Sequence, residues 1–120
     1  MPTQEVEVQE EVKPELNVEE YVRQEFADIP IMIDVARCES QFRQFDENGN
    51  VLQGYVDNRD TGVFQINTYY HQDTATKLGI DFFTLEGNVE YARYLYEHQG
   101  TAPWNASSPC WSKLREVALY

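Results

Sequence analysis

The pattern of apolar and polar positions predicts a helix near the start of the folded part of the chain. Val18, Tyr21 and Val22 share one face at helical spacing. Asn17, followed three residues later by Glu20, has the pattern of a capping box, in which each side chain accepts a hydrogen bond from the other residue's backbone amide. The first helix is therefore expected to begin just after Asn17.

Three further helices and a short final one follow from similar patterns. Pro30 suits the first turn of a helix that continues, with apolar residues at helical spacing, to near Glu39. Residues 67–79 and 84–100 each begin with a polar cap candidate and end in glycine, as helices commonly do. Pro109 predicts a short helix that continues to the end of the sequence.

Residues 42–56 contain two short runs separated by the turn sequence ENGN, which is typical of a hairpin. We expect a small antiparallel sheet here. The spacing of Asp46, Asn48 and Asn50 also suggests a calcium loop, but Gly49 is misplaced for an EF-hand and no glutamate follows at the twelfth position. The turn is favoured, and the predicted fold class is α+β, mainly α.

The first 16 residues differ in composition from the rest of the chain. They are acidic, contain two prolines and show no sustained helical period, which is typical of a disordered tail or linker. Residues 17–120 are predicted to form one domain, because a chain of 120 residues, 42% of them hydrophobic, can bury one core of ordinary size.

The charge of the chain restricts its partners. The formal net charge is −12, and only nine basic residues are scattered along the sequence. Nucleic acid is excluded as a partner, since phosphate binding needs clustered Lys and Arg. The same charge removes any electrostatic attraction to an anionic cell wall, so binding must come from a shaped site.

The two cysteines, Cys38 and Cys110, lack the spacing of a metal site, and His71 and His98 are isolated and expected to have surface or core roles. No metal or cofactor is predicted. A disulfide is the favoured interpretation and would indicate an oxidising compartment; two buried free thiols are the alternative.

The sequence shows no membrane-spanning stretch and no export signal. Two interpretations stay open. In one, the chain is a mature or trimmed form, with a signal or membrane tether upstream of the tail. In the other, it is cytosolic and has no disulfide.

A carboxyl group at the end of an apolar helix provides candidate chemistry. Glu39 follows Ile31 and Val35 and precedes Phe42, and partial removal from water raises the pKa of a carboxyl group in such surroundings. Cleavage of a glycosidic bond needs a protonated carboxyl beside the leaving oxygen and a negative or nucleophilic group for the transition state.

Three blocks resemble sequences of lytic transglycosylases and animal lysozymes. Residues 39–42 (ESQF) look like the Glu-Ser-x-Phe signature of both groups. Residues 62–67 (GVFQIN) are similar to the Gly-x-x-Gln-Ile segment that lines their cleft, and residues 88–95 look like the Asn-Ile-x-x-Gly-x-x-Tyr-Leu helix of the transglycosylases. The blocks occur in the family's order, so the chain resembles the lysozyme-like superfamily.

This resemblance implies a helical lobe, a small β-hairpin lobe and a cleft that binds peptidoglycan strands. It makes Glu39 the general acid at the β-1,4 bond between N-acetylmuramic acid and N-acetylglucosamine. Asp60 stands two positions before Gly62, where animal lysozymes carry a second carboxylate, and favours hydrolysis; Asp57 is the alternative. The residues expected to bind the glycan are Ser40, Gln65, Asn67, Asn88, Tyr91, Tyr94 and Trp104.

The chain departs from the transglycosylase pattern in two places. Ala92 replaces a glycine, and a later Tyr-Asn-x-Gly segment is matched only by residues 104–107 (WNAS). The aromatic hydroxyl near the acid is then missing, so hydrolysis and formation of an anhydro sugar both stay open. Trp104 is expected to stack on a sugar face.

The same residues have purely structural interpretations. Glu39 fits a solvated helix end, Asp60 a turn residue, and Tyr91 and Tyr94 core positions. A catalytically silent module that binds peptidoglycan is therefore an alternative function, and a scaffold of a larger wall or secretion assembly is a third. For the enzyme we expect a monomer located outside the cytoplasm.

Overall fold

The computed structural model of the chain describes residues 16–118. Within that range the fold is α+β and mainly helical. The predicted tail, residues 1–16, lies outside the described part except for Leu16. The helices are α1 (Val18–Glu25), α2 (Pro30–Ser40), α3 (Thr68–Leu78), α4 (Leu85–Gln99), a 3-10 helix (Ala102–Ser107) and α5 (Ser108–Ala118). The strands are β1 (Asp60–Thr61) and β2 (Ile66–Asn67).

The predicted start of α1 is confirmed by its capping box. The amide of Glu20 donates to Oδ1 of Asn17 at 2.8 Å, and the amide of Asn17 donates to Glu20 Oε1 at 3.1 Å. Helix α2 begins at Pro30, as predicted, and Gln41, with φ 56°, ends it. The capping box of α1 thus gives acceptors to two backbone amides, those of Asn17 and Glu20, that would otherwise lack a partner within the helix.

Both later helices also begin and end where their cap residues indicate. Asn67 accepts hydrogen bonds from the first amides of α3, and Thr84 accepts one at the start of α4. Gly79 and Gly100 follow the last residues of these helices. The predicted final helix is also present, and it begins at Ser108, one residue before the proline.

The small sheet lies farther along the chain than predicted. Its two strands pair antiparallel, with Thr61 opposite Ile66, whereas residues 42–56 form two isolated antiparallel bridges, Phe45 with Val51 and Gln53 with Thr61 of β1. The predicted hairpin is present only as a turn with a short antiparallel pairing across it, because the backbone groups of Leu52 bond to two different segments. Its amide donates within residues 42–56, but its carbonyl accepts from Gly62, at the turn beyond β1.

The ENGN turn itself is present, and the Asp46 side chain closes it. Oδ1 of Asp46 accepts the amides of Asn48 at 2.8 Å and Asn50 at 3.0 Å. An aspartate side chain commonly accepts a hydrogen bond from the backbone amide two residues later in a turn. The turn therefore accounts for the spacing of Asp46, Asn48 and Asn50 that also suggested a calcium loop.

A single cluster of buried side chains connects the helices to the loop between the strands. Phe64 packs edge to face against Phe26 and Trp104, with ring centroids 5.4 and 6.0 Å apart. The buried apolar residues are Val22, Phe26, Met32, Val35, Ala36, Val63, Phe64, Ile66, Ala75, Phe82, Val89, Tyr91, Ala92, Leu95, Trp104 and Trp111.

The predicted disulfide is confirmed. Cys38 in α2 is bonded to Cys110 in α5, with Cα atoms 6.0 Å apart. No helix in the described range is long and apolar enough to cross a membrane.

Candidate functional site

A pocket of about 370 Å³ opens where the end of α2, the sheet, α3, α4 and the 3-10 helix come together. It contains three carboxyl groups, from Glu39, Asp57 and Asp60, and none of the described Lys or Arg residues lines it. The remaining lining residues are Gln65, Ile66, Asn67, Tyr70, His71, Leu95, Gln99, Pro103, Trp104 and Ala106.

Glu39 occupies the last turn of α2 and is half-buried. Burial raises the pKa of its carboxyl group; the hydrogen bond that Ser107 donates to it opposes this shift, and the negative charge of Asp60 adds to it. The Ser107 hydroxyl lies 2.6 Å from Oε2 of Glu39. Glu39 is therefore a carboxyl group that keeps its proton to a higher pH than one in water.

Asp57 and Asp60 have different environments although Asn67 contacts both. Nδ2 of Asn67 donates to Asp60 Oδ1 at 2.9 Å and to Asp57 Oδ2 at 3.2 Å. Burial raises the pKa of Asp60. By contrast, hydrogen bonds from the Arg59 guanidinium lower the pKa of Asp57 to about 2. The site thus combines one carboxyl group, Asp57, whose pKa is lowered with two, Glu39 and Asp60, whose pKa is raised.

The turn between the two strands forms part of the pocket and is held by buried polar side chains. Asn88 has no exposed surface; it accepts the amide of Phe64 at 2.9 Å and donates to the carbonyls of Thr61 and Phe82. Gln44, equally buried, accepts the amide of Val63 at 2.9 Å. These contacts fix the backbone that carries Gln65.

Two predicted glycan contacts are corrected by this arrangement. Ser40 is 3% exposed, and its hydroxyl donates to the carbonyl of Val63 at 2.8 Å. Asn88 uses both amide hydrogens and its oxygen inside the protein. Neither residue lines the pocket. Both side chains bond the backbone of the turn from its buried side. These two matches to the family's motifs therefore have a structural role in this chain.

The aromatic candidates also lie deeper than expected. Tyr91 is 1% exposed, and its hydroxyl is 3.1 Å from Nδ1 of His71. Tyr94 packs against Tyr91 and is not among the lining residues. The core interpretation therefore replaces the predicted glycan contact for Tyr91, whereas Tyr94 is partly buried at the edge of the core and lies outside this pocket.

Trp104 lines the pocket but is 3% exposed, and its Nε1 donates to the Phe64 carbonyl at 2.9 Å. It forms part of the wall and offers no open ring face, which corrects the expectation that it stacks on a sugar. Gln65 and Asn67 do line the pocket. Gln65 does so with φ 52°, a conformation that non-glycine residues rarely adopt.

Three residues in or beside the pocket were missed as site residues: Tyr70, His71 and Ser107. Tyr70 lines the pocket and is 70% exposed, and His71 was assigned only a surface or core role. A signal for Ser107 was present in the sequence. It lies three residues before Cys110, whose partner Cys38 is adjacent to Glu39, so the disulfide itself places this serine near the acid.

Within residues 16–118, no three His, Cys, Asp or Glu side chains are grouped in a way that could hold a metal ion. Comparison with protein-family models, with curated proteins and with solved structures finds no match to the chain.

Proposed function

We propose that the chain is a peptidoglycan-cleaving glycosidase with a lysozyme-like fold, and that Glu39 is its general acid. The observation that carries the proposal is the half-buried Glu39, with its raised pKa, in a pocket that also holds Asp60. The three sequence blocks that resemble lytic transglycosylases and animal lysozymes support the same substrate class.

In this proposal Glu39 protonates the oxygen that leaves when the bond between N-acetylmuramic acid and N-acetylglucosamine breaks. A general acid needs a pKa close to the working pH, because it must hold a proton and still release it. Burial moves the pKa of Glu39 in that direction. No other carboxyl group in the pocket combines this burial with a position at a helix end beside apolar side chains.

Asp60 is the proposed partner for the positive charge that develops on the sugar ring. Its charge acts on Glu39, and Asn67 holds its carboxyl group by donating to Oδ1. If water completes the reaction with help from Asp60, the enzyme is a hydrolase. If the deprotonated Glu39 instead accepts the proton of the muramyl 6-hydroxyl, the product is an anhydro sugar.

The pocket lining fits a ligand rich in hydroxyl and amide groups better than an anion. Its three carboxyl groups, with none of the described Lys or Arg residues in the lining, would repel phosphate. Gln65 and Asn67 offer amide groups for hydrogen bonds, and Tyr70 offers an exposed aromatic ring on which a sugar can pack. The disulfide supports an oxidising location, and we propose that the enzyme acts outside the cytoplasm.

Mass spectrometry of fragments released from purified peptidoglycan tests the proposal. Wild-type protein and Glu39→Gln are incubated with the same wall preparation, beside a control enzyme. Anhydro-muramyl fragments lost in the variant would identify a transglycosylase, and reducing-end fragments lost in the variant would identify a hydrolase. No release by the wild type, where the control enzyme works, would replace the proposal with the silent binding module.

A further inference from the structure

The hydroxyl group of Ser107 lies between the carboxyl group of Glu39 and the indole of Trp111. Its Oγ is 2.6 Å from Oε2 of Glu39, and Nε1 of Trp111 donates to it at 3.1 Å. A serine hydroxyl has one hydrogen to donate and two lone pairs to accept with. The bond from Trp111 occupies a lone pair, so the single hydrogen remains for one acceptor.

Two acceptors lie within reach of that hydrogen: Oε2 of Glu39 and the backbone carbonyl of Trp104, which is 3.1 Å away. The shorter distance to Glu39 falls in the range of hydrogen bonds to an ionised carboxylate, which are about twice as strong as neutral ones. Nε1 of Trp111 also lies 3.2 Å from the carbonyl of Trp104, so its single N–H is shared between that carbonyl and the Ser107 hydroxyl. Ser107 can therefore donate to Glu39 while that carbonyl keeps a partner.

We propose, resting on the proposed function of Glu39, that Ser107 is a positioning residue that holds Oε2 as an accepting oxygen and thereby assigns the transferable proton to Oε1. A proton on Oε2 would compete with the hydrogen that Ser107 donates. A proton on Oε1 leaves that bond intact. After Glu39 has given its proton to the leaving oxygen, the carboxylate keeps the Ser107 bond and stays oriented to take a proton back.

Other titratable groups share the pocket with Glu39 and must be kept constant in a test. They are Asp57 and Asp60 near the sheet, and Tyr70 and His71 on α3. Of these, Asp60 is the one whose charge raises the pKa of Glu39, whereas the Ser107 bond lowers it. Removal of the hydroxyl should therefore raise the pKa of Glu39 further and move the basic limb of the activity profile to higher pH.

The test compares Ser107→Ala, Ser107→Thr and the matched control Ser112→Ala, in which an exposed serine of α5 loses a hydroxyl bonded to its own helix. Carbon-13 NMR of glutamate carboxyl groups, with Glu39 assigned through Glu39→Gln, gives its pKa in each protein. Ser107→Ala should raise this pKa, and the other two should leave it unchanged. The kcat of Ser107→Ala should fall about tenfold or more while KM changes little, because a hydrogen bond to a charged group is lost.

The NMR measurement separates this inference from the proposed function, since it needs no activity. A raised Glu39 pKa in Ser107→Ala alone supports the inference even if no wall fragment is ever released. An unchanged pKa in folded Ser107→Ala overturns it. Should that variant fail to fold, Ser107→Cys gives the same comparison with a weaker donor: a raised pKa supports the inference and an unchanged one overturns it.

Discussion

Cys38 is bonded to Cys110, and this disulfide joins the helix that presents Glu39 to the helix that begins one residue after Ser107. The 2.6 Å contact between Ser107 and Glu39 is therefore formed within a region that a covalent bond closes. The bond links residues separated by 72 positions, so when the protein unfolds it still restricts most of the chain that forms the domain.

The first prediction is that loss of this disulfide destabilises the domain. Replacing both cysteines by serine should lower the free energy of unfolding by about 2–4 kcal/mol, because the unfolded chain regains the freedom that the loop removes. Urea denaturation of the oxidised protein and of the double variant measures the difference. Equal midpoints would show that the bond adds nothing to stability.

The second prediction concerns Gly62, whose φ is 75°. A Cβ atom there would lie 2.4 Å from Nδ2 of Asn88 and 2.6 Å from Oε1 of Gln44, two buried groups that hold the turn. Gly62→Ala should therefore cost about 1–3 kcal/mol from overpacking, in addition to about 1 kcal/mol for a left-handed backbone.

Gly79→Ala is the matched control for this substitution. Gly79 has nearly the same φ, 73°, but a Cβ atom added there would meet no atom within 4 Å. Thermal or urea unfolding should show a clearly larger loss for Gly62→Ala than for Gly79→Ala. Equal losses would mean that the contacts with Asn88 and Gln44 can relax without cost.

The third prediction is that Asn88 acts through stability and not through contact with the ligand. Asn88→Ala leaves the amide of Phe64 and the carbonyls of Thr61 and Phe82 without this partner, at a cost of about 2–4 kcal/mol in the free energy of unfolding. Unfolding measurements should show this loss. A variant of unchanged stability that binds wall fragments more weakly would restore the prediction of direct contact.

The fourth prediction follows from the charge of Asp60. Its negative charge raises the pKa of Glu39, so Asp60→Asn should lower that pKa. Since Glu39 must be protonated to act as an acid, the basic limb of the activity profile should move to lower pH. Asp57→Asn is the control, because its charge contributes no resolved shift at Glu39. A basic limb that stays in place in Asp60→Asn would contradict the interaction.

The helices could be predicted because their signals are local. Asn17, Pro30 and Thr84 each mark a helix start through bonds or backbone angles within a few residues. The sheet was predicted too early in the chain, because the ENGN segment has a clear local turn signal but Leu52 pairs onward with Gly62, ten residues away, and does not extend a hairpin of its own. Pairing between distant segments leaves little trace in a local pattern of apolar and polar positions.

The candidate site was predictable in part for a related reason. The sequence blocks indicated residue types near a cleft, and Gln65 and Asn67 do line the pocket. A sequence pattern does not show which way a side chain points, so Ser40 and Asn88 were assigned to the ligand although both face inward. Ser107 was missed because, although the predicted disulfide places it near Glu39, the sequence does not show that the 3-10 helix directs its hydroxyl at that carboxyl group.

The most direct test of the central claim is the rate of fragment release from peptidoglycan by Glu39→Gln, compared with Glu47→Gln. Glu47 is an exposed glutamate in the ENGN turn and serves as the matched control. Loss of a general acid should slow release by roughly 100- to 10,000-fold in Glu39→Gln, whereas Glu47→Gln should act like the wild type. Equal rates in the two variants would contradict the assignment of Glu39 as the catalytic acid.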